Sequence, residues 1–280
     1  MTVTAASPKW LAPTSIEEAL ELRTHYGDDA TVVAGGTYIG IVMNQGFLVP
    51  GALLSLHRVP GLSFVEANGE LHLGAMTTHR TVERSELVKQ SWPALARAFS
   101  LVASPRVRNQ ATVGGVLADA DYASDPPAML TALGARVLLR SLHGEREVPI
   151  EDFILGYYET DLQPDELVTE VRVPGDADHA VYRKFRSRSS EDRPCVAVAA
   201  AQKGKQLRVV VGAVTERPQY FPDVCDLPGD ALSAEEIAVE IGRRYAERIE
   251  PISDSRGSST YRRRVIAVEV RRAIEDLAHA

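Results

Sequence analysis

Two glycine pairs stand where anion chemistry is possible. The first lies in Thr31-Val-Val-Ala-Gly-Gly-Thr-Tyr-Ile-Gly40. A β-branched strand that runs into a glycine turn and then a helix points main-chain N–H groups at one spot. Without Cβ atoms a phosphate can approach that backbone closely, and the helix dipole adds favourable charge. Thr37 adds a hydroxyl donor. The competing reading is a plain tight turn. Two familiar nucleotide motifs are excluded. Gly35 to Gly40 has P-loop spacing, but Ile41-Val42 stand where Lys-Ser/Thr is required, and GxGxxG is absent.

The second pair, Gly114-Gly115, sits in the stretch Ala111 to Pro127 with Thr112 as a further hydroxyl. It offers another row of N–H groups. Asp125 has two readings, a cap for the helix opened by Pro126-Pro127 or an acceptor for sugar hydroxyls. Asp119, Asp121 and Asp125 lack the glycine and closing glutamate of a calcium loop, so no metal site is expected. A third stretch, Tyr182 to Arg193, carries five basic residues around Glu191-Asp192. It reads either as a solvated strand end or as a strand presenting Lys184 to a ligand that gains negative charge. His79 follows Thr77-Thr78 at a helix start and reads as a local structural histidine. Neither HExxH nor Gly-x-Ser-x-Gly occurs, and Cys195 in its apolar run reads as inert.

The elements that must carry these groups fall into three stretches. Residues 1–57 read as helix (Ser15–Tyr26), strand (Thr31–Val33), glycine turn, helix (from Ile39 to near Gly46) and strand (Ala52–Leu56). Residues 58–174 begin with a hairpin around Asn68-Gly69, then short helices over Thr77–Ser85, Glu86–Gln90 and Trp92–Phe99. Ala103 to Pro127 lacks clean periodicity and reads as a long functional loop. A helix at Met129–Leu133 and strands at Arg136–Arg140 and Val168–Val173 follow. Residues 175–280 read as three strands (Ala180–Phe185, Val196–Gln202, Leu207–Val214) and two helices (Ser233–Arg248, Thr260–Leu277). That order predicts an α+β domain with helices on one face of an antiparallel sheet.

Composition narrows the function classes. With 31 basic and 38 acidic residues the net charge is −7, which disfavours general nucleic-acid binding. Two cysteines, Cys195 and Cys225, cannot supply a four-cysteine zinc or iron–sulfur site. No apolar run approaches the ~18 residues of a membrane span. Met1 to Pro13 lacks the pattern of a signal peptide, so a cytoplasmic location is expected.

Taken in order, the motifs resemble the FAD-binding medium subunit of the molybdenum hydroxylases, the xanthine dehydrogenase and carbon monoxide dehydrogenase family. The matching stretches are Val33 to Gly40, Leu73 to His79, Ala111 to Gly115 on through Asp125-Pro-Pro, Asp165 to Val168, Lys184 to Val196 and Asp254 to Arg263. They cover nearly the whole chain. The resemblance implies an α+β fold: two PCMH-type subdomains with FAD between them, then a C-terminal α+β domain. It implies that Ala34, Gly35, Gly36, Thr37 and Tyr38, flanked by Val33 and Ile39, wrap the pyrophosphate. Thr112, Gly114 and Gly115, with Ala111, Val116 and Ala118 beside them, would form the second half of that cradle. Asp125 and Ser124 would take sugar or ribityl hydroxyls. Val168 would lie along the cofactor edge, and Lys184 near the flavin ring.

Two departures stand out. The family commonly has Asn where this chain has Val116, a difference of one hydrogen bond worth roughly 1 kcal/mol. It often has His where this chain has Asp119. The resemblance also implies partners: a large subunit with the molybdenum cofactor and a small one with [2Fe-2S] clusters, in a heterotrimer or its dimer. Electrons would pass from the clusters through FAD to a quinone, oxygen or NAD, with no catalytic side chain on this chain. The large subunit would read the substrate, and N-heterocycles, aldehydes and carbon monoxide are all compatible. The rival readings are a non-redox assembly subunit that has lost flavin, and a stand-alone flavin oxidase.

Overall fold

A computed structural model describes residues 7–175, 177–189, 191–226 and 233–279. Ser190, inside the basic stretch, lies outside the described residues. The N-terminal part holds β1 (Lys9–Leu11), α1 (Ile16–Tyr26), β2 (Ala30–Val33), α2 (Ile39–Asn44) and β3 (Ala52–Ser55). Its three strands pair in parallel in the order β1-β3-β2. Ser15 caps α1 by accepting from the Glu18 N–H at 3.1 Å. Leu11, Ala30, Ala52 and Leu54 fill one small core here.

The middle part opens with the predicted hairpin, β4 (Val65–Ala67) and β5 (Glu70–Gly74). Six helices follow: α3 (His79–Arg84), α4 (Glu86–Ser91), α5 (Pro93–Ser100), α6 (Pro105–Arg108), α7 (Val113–Asp119) and α8 (Pro126–Ala132). Next come β6 (Arg136–Ser141), β7 (Gly144–Pro149), α9 (Ile150–Phe153), β8 (Ile154–Gly156), β9 (Glu159–Thr160) and β10 (Leu167–Pro174). The main sheet here is antiparallel, in the order β4-β5-β10-β6-β7. The stretch from Ala103 to Pro127 is thus not one long loop. It contains α6 and α7, which glycine content and missing periodicity had hidden.

The last part holds β11 (His179–Phe185), β12 (Val196–Lys203), β13 (Gln206–Gly212), β14 (Gln219–Tyr220), α10 (Pro222–Cys225), α11 (Ala234–Arg248) and α12 (Ser259–Leu277). The four strands form an antiparallel meander in sequence order. Strand β12 is buried on both faces. Its Val196, Val198 and Ala200 meet α11 and α12, while Ala197, Ala199 and Ala201 join the core of the middle part. The period of two explains how small and β-branched residues serve both faces at once. Arg262 of α12 is fully buried; it donates to the Ala213 carbonyl at 2.8 Å and to Asp254 at 2.6 Å. Asp254 also accepts from Tyr122 at 3.1 Å, which ties the last part to the middle one. No helix among the described residues is long and apolar enough to cross a membrane.

Candidate cofactor-binding site

The first glycine loop leaves β2 at Val33 and enters α2 at Ile39. Gly36 sits at φ +68°, a left-handed conformation that side chains rarely adopt. Among the described residues, no main-chain N–H from Ala34 to Ile39 donates to a protein acceptor. The first to do so is that of Gly40, to the Gly36 carbonyl at 3.1 Å. Such a row of unspent donors at the carboxyl end of a parallel strand makes an anion-binding concavity.

The second glycine pair is built differently. The N–H of Val113 donates to Thr77 at 2.9 Å, and that of Gly114 to Ala75 at 2.8 Å. The Gly115 N–H donates to Thr112 Oγ1 at 3.1 Å and caps α7. Val116 closes the first helical turn back to Thr112 at 3.0 Å. The expected second row of free donors is therefore spent inside the protein. Only the Thr112 N–H among these lacks an acceptor.

Close packing, not phosphate access, explains two of the glycines. A Cβ on Gly35 would stand 2.0 Å from the Gln110 carbonyl oxygen, and one on Gly114 would stand 2.6 Å from Ala75 Cβ. Gly35 presses the first loop onto the residue before the second, and Gly114 seats α7 against the turn after β5. The two loops are locked together as one wall.

That wall belongs to a cavity of about 920 Å³, at the upper end of the range for ligand pockets. Sixteen of the seventeen expected residues line it: Ala34, Gly35, Gly36, Thr37, Tyr38 and Ile39; Ala111, Thr112, Gly114, Gly115, Val116 and Ala118; and Ser124, Asp125, Val168 and Lys184. Val33 does not. It ends β2 opposite Ser55 and accepts from the Leu56 N–H at 3.0 Å, so it supports the loop from behind. Val168 reaches the wall at a β-bulge, where the register of β10 against β6 shifts between Val168 and Glu170.

Asp125 does not cap α8; its side chain makes no cap hydrogen bond. Its Oδ1 accepts from the Tyr182 hydroxyl at 2.8 Å, and its Oδ2 pairs with Lys184 Nζ at 2.8 Å. Lys184 Nζ also donates to the Leu101 carbonyl at 2.8 Å. Burial pushes the Asp125 carboxyl up, opposed by the Lys184 charge, and pulls Lys184 down, opposed by Asp125. Lys184 is thus no solvated strand end.

Sequence spacing offered no signal for several other wall residues. Arg23 comes from α1, Tyr158 from the β8–β9 turn, and Arg188 and Arg256 from loops of the last part. Tyr158 holds φ +57° and stacks on Tyr38, with centroids 5.8 Å apart and planes within 7°. Arg193 pairs with Asp121 at 2.7 Å. Asp119 lines the cavity beside them, its carboxyl pushed up to about 7 by burial first and the Asp121 charge second. His79 is indeed held structurally: its N–H donates to Ala111 at 2.8 Å, and Nε2 lies 3.2 Å from the Thr112 carbonyl. Cys195 is fully buried, and burial pushes its thiol up, so its thiolate is disfavoured.

Comparison with known proteins shows the family. The profile of the FAD-binding domain in molybdopterin dehydrogenase matches residues 4–176. That of the CO dehydrogenase flavoprotein C-terminal domain matches residues 180–277. The chain belongs to the FAD-binding medium subunits of the molybdenum hydroxylases. It is similar to the nicotine 6-hydroxylase medium subunit of Paenarthrobacter nicotinovorans, at 34% identity over 95% of both chains. Two solved structures share its fold over 99% of each chain. They are carbon monoxide dehydrogenase from Hydrogenophaga pseudoflava, with a TM-score of 0.92 and 29% identity, and quinoline 2-oxidoreductase from Pseudomonas putida 86, with 0.91 and 30%.

The medium subunit is therefore an oxidoreductase subunit, and its family's cofactor is FAD. The residues present fit that group. A pyrophosphate needs several donors that the fold has not already used, and the run Ala34–Ile39 supplies them. A dinucleotide also needs a roomy pocket, and this one is lined by residues of all three parts of the chain, among them Arg23, Lys184 and Arg256.

Proposed function

We propose that this medium subunit carries FAD as the electron-transfer component of a multi-subunit molybdenum hydroxylase. It takes electrons from [2Fe-2S] clusters on a small partner and passes them to an external acceptor such as a quinone, oxygen or NAD. The large partner carries the molybdenum cofactor and acts on the substrate, and the assembly is a heterotrimer or its dimer. Such a complex is expected in the cytoplasm. The observation that carries this reading is the unspent N–H row from Ala34 to Ile39 on the wall of a dinucleotide-sized cavity.

FAD, when bound, supplies a group that can accept electrons singly and release them singly or in pairs. The chain's own work is to bind and orient it. In our reading, Ala34 to Ile39 hold the pyrophosphate with main-chain donors. Thr112, Gly114 and Gly115 act mainly by shape, as the rigid second wall, with Ala111, Val116 and Ala118 alongside. Asp125 and Ser124 face the sugar hydroxyls, Val168 follows the cofactor edge, and Lys184 stands at the ring end. We also propose units 1–57, 58–174 and 175–280, since each begins a separate main sheet. The flavin-free assembly reading has only Val116 in its favour, and the donor row speaks against it.

The test is selective removal of flavin from the intact complex. Substrate should then still reduce the iron–sulfur clusters while acceptor reduction stops, and added FAD should restore it. Acceptor reduction at full rate without flavin would sink the proposal.

A further inference from the structure

The four most exposed large apolar side chains among the described residues are Phe47, Val49, Trp10 and Ile41, at 81%, 71%, 60% and 54%. All four lie in the N-terminal part: Trp10 on β1, Ile41 on α2, and Phe47 and Val49 on the segment that leads from α2 to β3. No residue of α2, Ile39-Gly-Ile-Val-Met-Asn44, is buried. From Ala30 to Leu56 the chain has no Asp, Glu, Lys or Arg, although 25% of the whole chain is charged.

The topology explains why this face is bare. Leu11, Ala30, Ala52 and Leu54 turn to one side of the sheet, where Leu22 and Tyr26 of α1 pack against them. Trp10, Leu53 and Thr31 are register partners across β1, β3 and β2, and by the period of two they turn to the other side. The right-handed crossover from β2 back to β3 carries α2 over that side. With six residues, α2 does not reach across to β1, the far edge strand, and Trp10 stays uncovered. Parallel sheets are found with both faces covered, and an exposed apolar face marks an interaction surface.

We propose that this face docks the small iron–sulfur subunit, an inference that rests on the electron-transfer reading above. Its lack of charge suits a permanent partner, since lasting interfaces are the more apolar ones, and it offers nothing to steer a transient charged acceptor. A membrane surface is disfavoured as well, because interfacial helices carry Lys or Arg on their polar face. Position selects between the two partner subunits. Ile39, Ile41 and Val42 of α2, and Leu48 after it, also line the cofactor cavity. A chain seated on α2 is therefore separated from the cavity by a single layer of this protein. The subunit that has to hand electrons to a cofactor there is the one with the clusters. The large subunit acts on substrate and needs no such approach.

Two measurements test this. In the first, the photoreactive analogue p-benzoylphenylalanine is placed at Phe47 in the assembled complex, and mass spectrometry after irradiation identifies the chain it joins. In the second, Phe47→Asp with Val49→Asp puts two carboxylates on the face; neither residue lines the cavity. Binding of the full chain to the large–small pair is then titrated, with Val239→Asp on the exposed side of α11 as the control. We expect cross-links to the small subunit, and roughly thirty-fold weaker binding of the double variant with the control unchanged. Cross-links to the large subunit or to a second copy of this chain overturn the inference, as does a complex in which Phe47 joins nothing. Unchanged affinity of the double variant, or an equal loss in Val239→Asp, overturns it too. If the double variant does not fold, the cross-link alone decides. A wild-type complex that contains no iron–sulfur subunit sinks the electron-transfer reading itself.

Discussion

Lys184 Nζ lies 2.8 Å from Asp125 Oδ2, and the two side chains are only 1% and 4% exposed. The pair joins β11 to the start of α8, and Tyr182 and Leu101 complete its bonds. Residues that the sequence offered as two separate ligand contacts thus first satisfy each other. A cofactor ring placed beside Lys184, as proposed above, would meet an ion pair rather than an isolated cation, and a correspondingly weaker field.

Breaking that pair from one side should be expensive. Lys184→Met leaves a buried carboxylate unmatched and should cost about 3–5 kcal/mol. The double variant Asp125→Asn with Lys184→Met removes both charges and should recover most of that loss. Urea unfolding of the four-member cycle checks this; strictly additive costs would mean that the pair is not coupled.

The loop contact predicts a sharp difference between glycines. Gly35→Ala places a Cβ 2.0 Å from the Gln110 carbonyl, so the two loops must part and flavin content should collapse. Gly40→Ala meets nothing within 4 Å inside α2. It should leave flavin content intact and gain up to about 1 kcal/mol from helix propensity. Flavin-to-protein absorbance ratios of the two purified variants read the difference.

Asp119 predicts a pH dependence. Its carboxyl, pushed up to about 7, is neutral below that pH and anionic above it. Its charge is felt at Tyr38 in the first glycine loop. Affinity for the dinucleotide should therefore be highest below pH 7. It should fall by at most about ten-fold per unit above it. Asp119→Asn should flatten the profile. The linked stability has the same sign: the folded state holds this proton longer than the unfolded chain, so stability declines as pH rises from about 4 to about 7. Flavin titrations from about pH 5 to about pH 9, about two units either side of the transition, distinguish a slope from a flat line.

Val116 lines the cavity at the position where the resemblance led us to expect Asn. Val116→Asn should tighten FAD binding by about 1 kcal/mol, close to five-fold, if the amide reaches the cofactor. Equal dissociation constants would show that the main chain carries all the binding at this position.

Much of this architecture can be read from local chemistry. Helix α11 announces itself through its Ser233–Glu236 capping box, and β12 through its apolar run. Helix α7 could not be read that way. Two of its first three residues are glycines, and it forms because Gly114 fits against Ala75 and Thr112 caps it. Strand β7 was hidden for another reason: as an edge strand it carries Glu145, Arg146 and Glu147, with no apolar alternation. The site was legible where glycine and threonine spacing encode a loop. Tyr158, Arg188 and Arg256 reach it only through folding. The split between free donors in the first loop and spent donors in the second also depends on long-range partners, Ala75 and Thr77, that no local pattern reveals.

The most direct test of the central claim is the visible spectrum of the chain purified with its partner subunits, with the released cofactor identified by chromatography. The account predicts one FAD per chain, bleached when the partner's substrate is added without acceptor. An intact complex that contains no flavin, or whose flavin stays oxidised under those conditions, would contradict it.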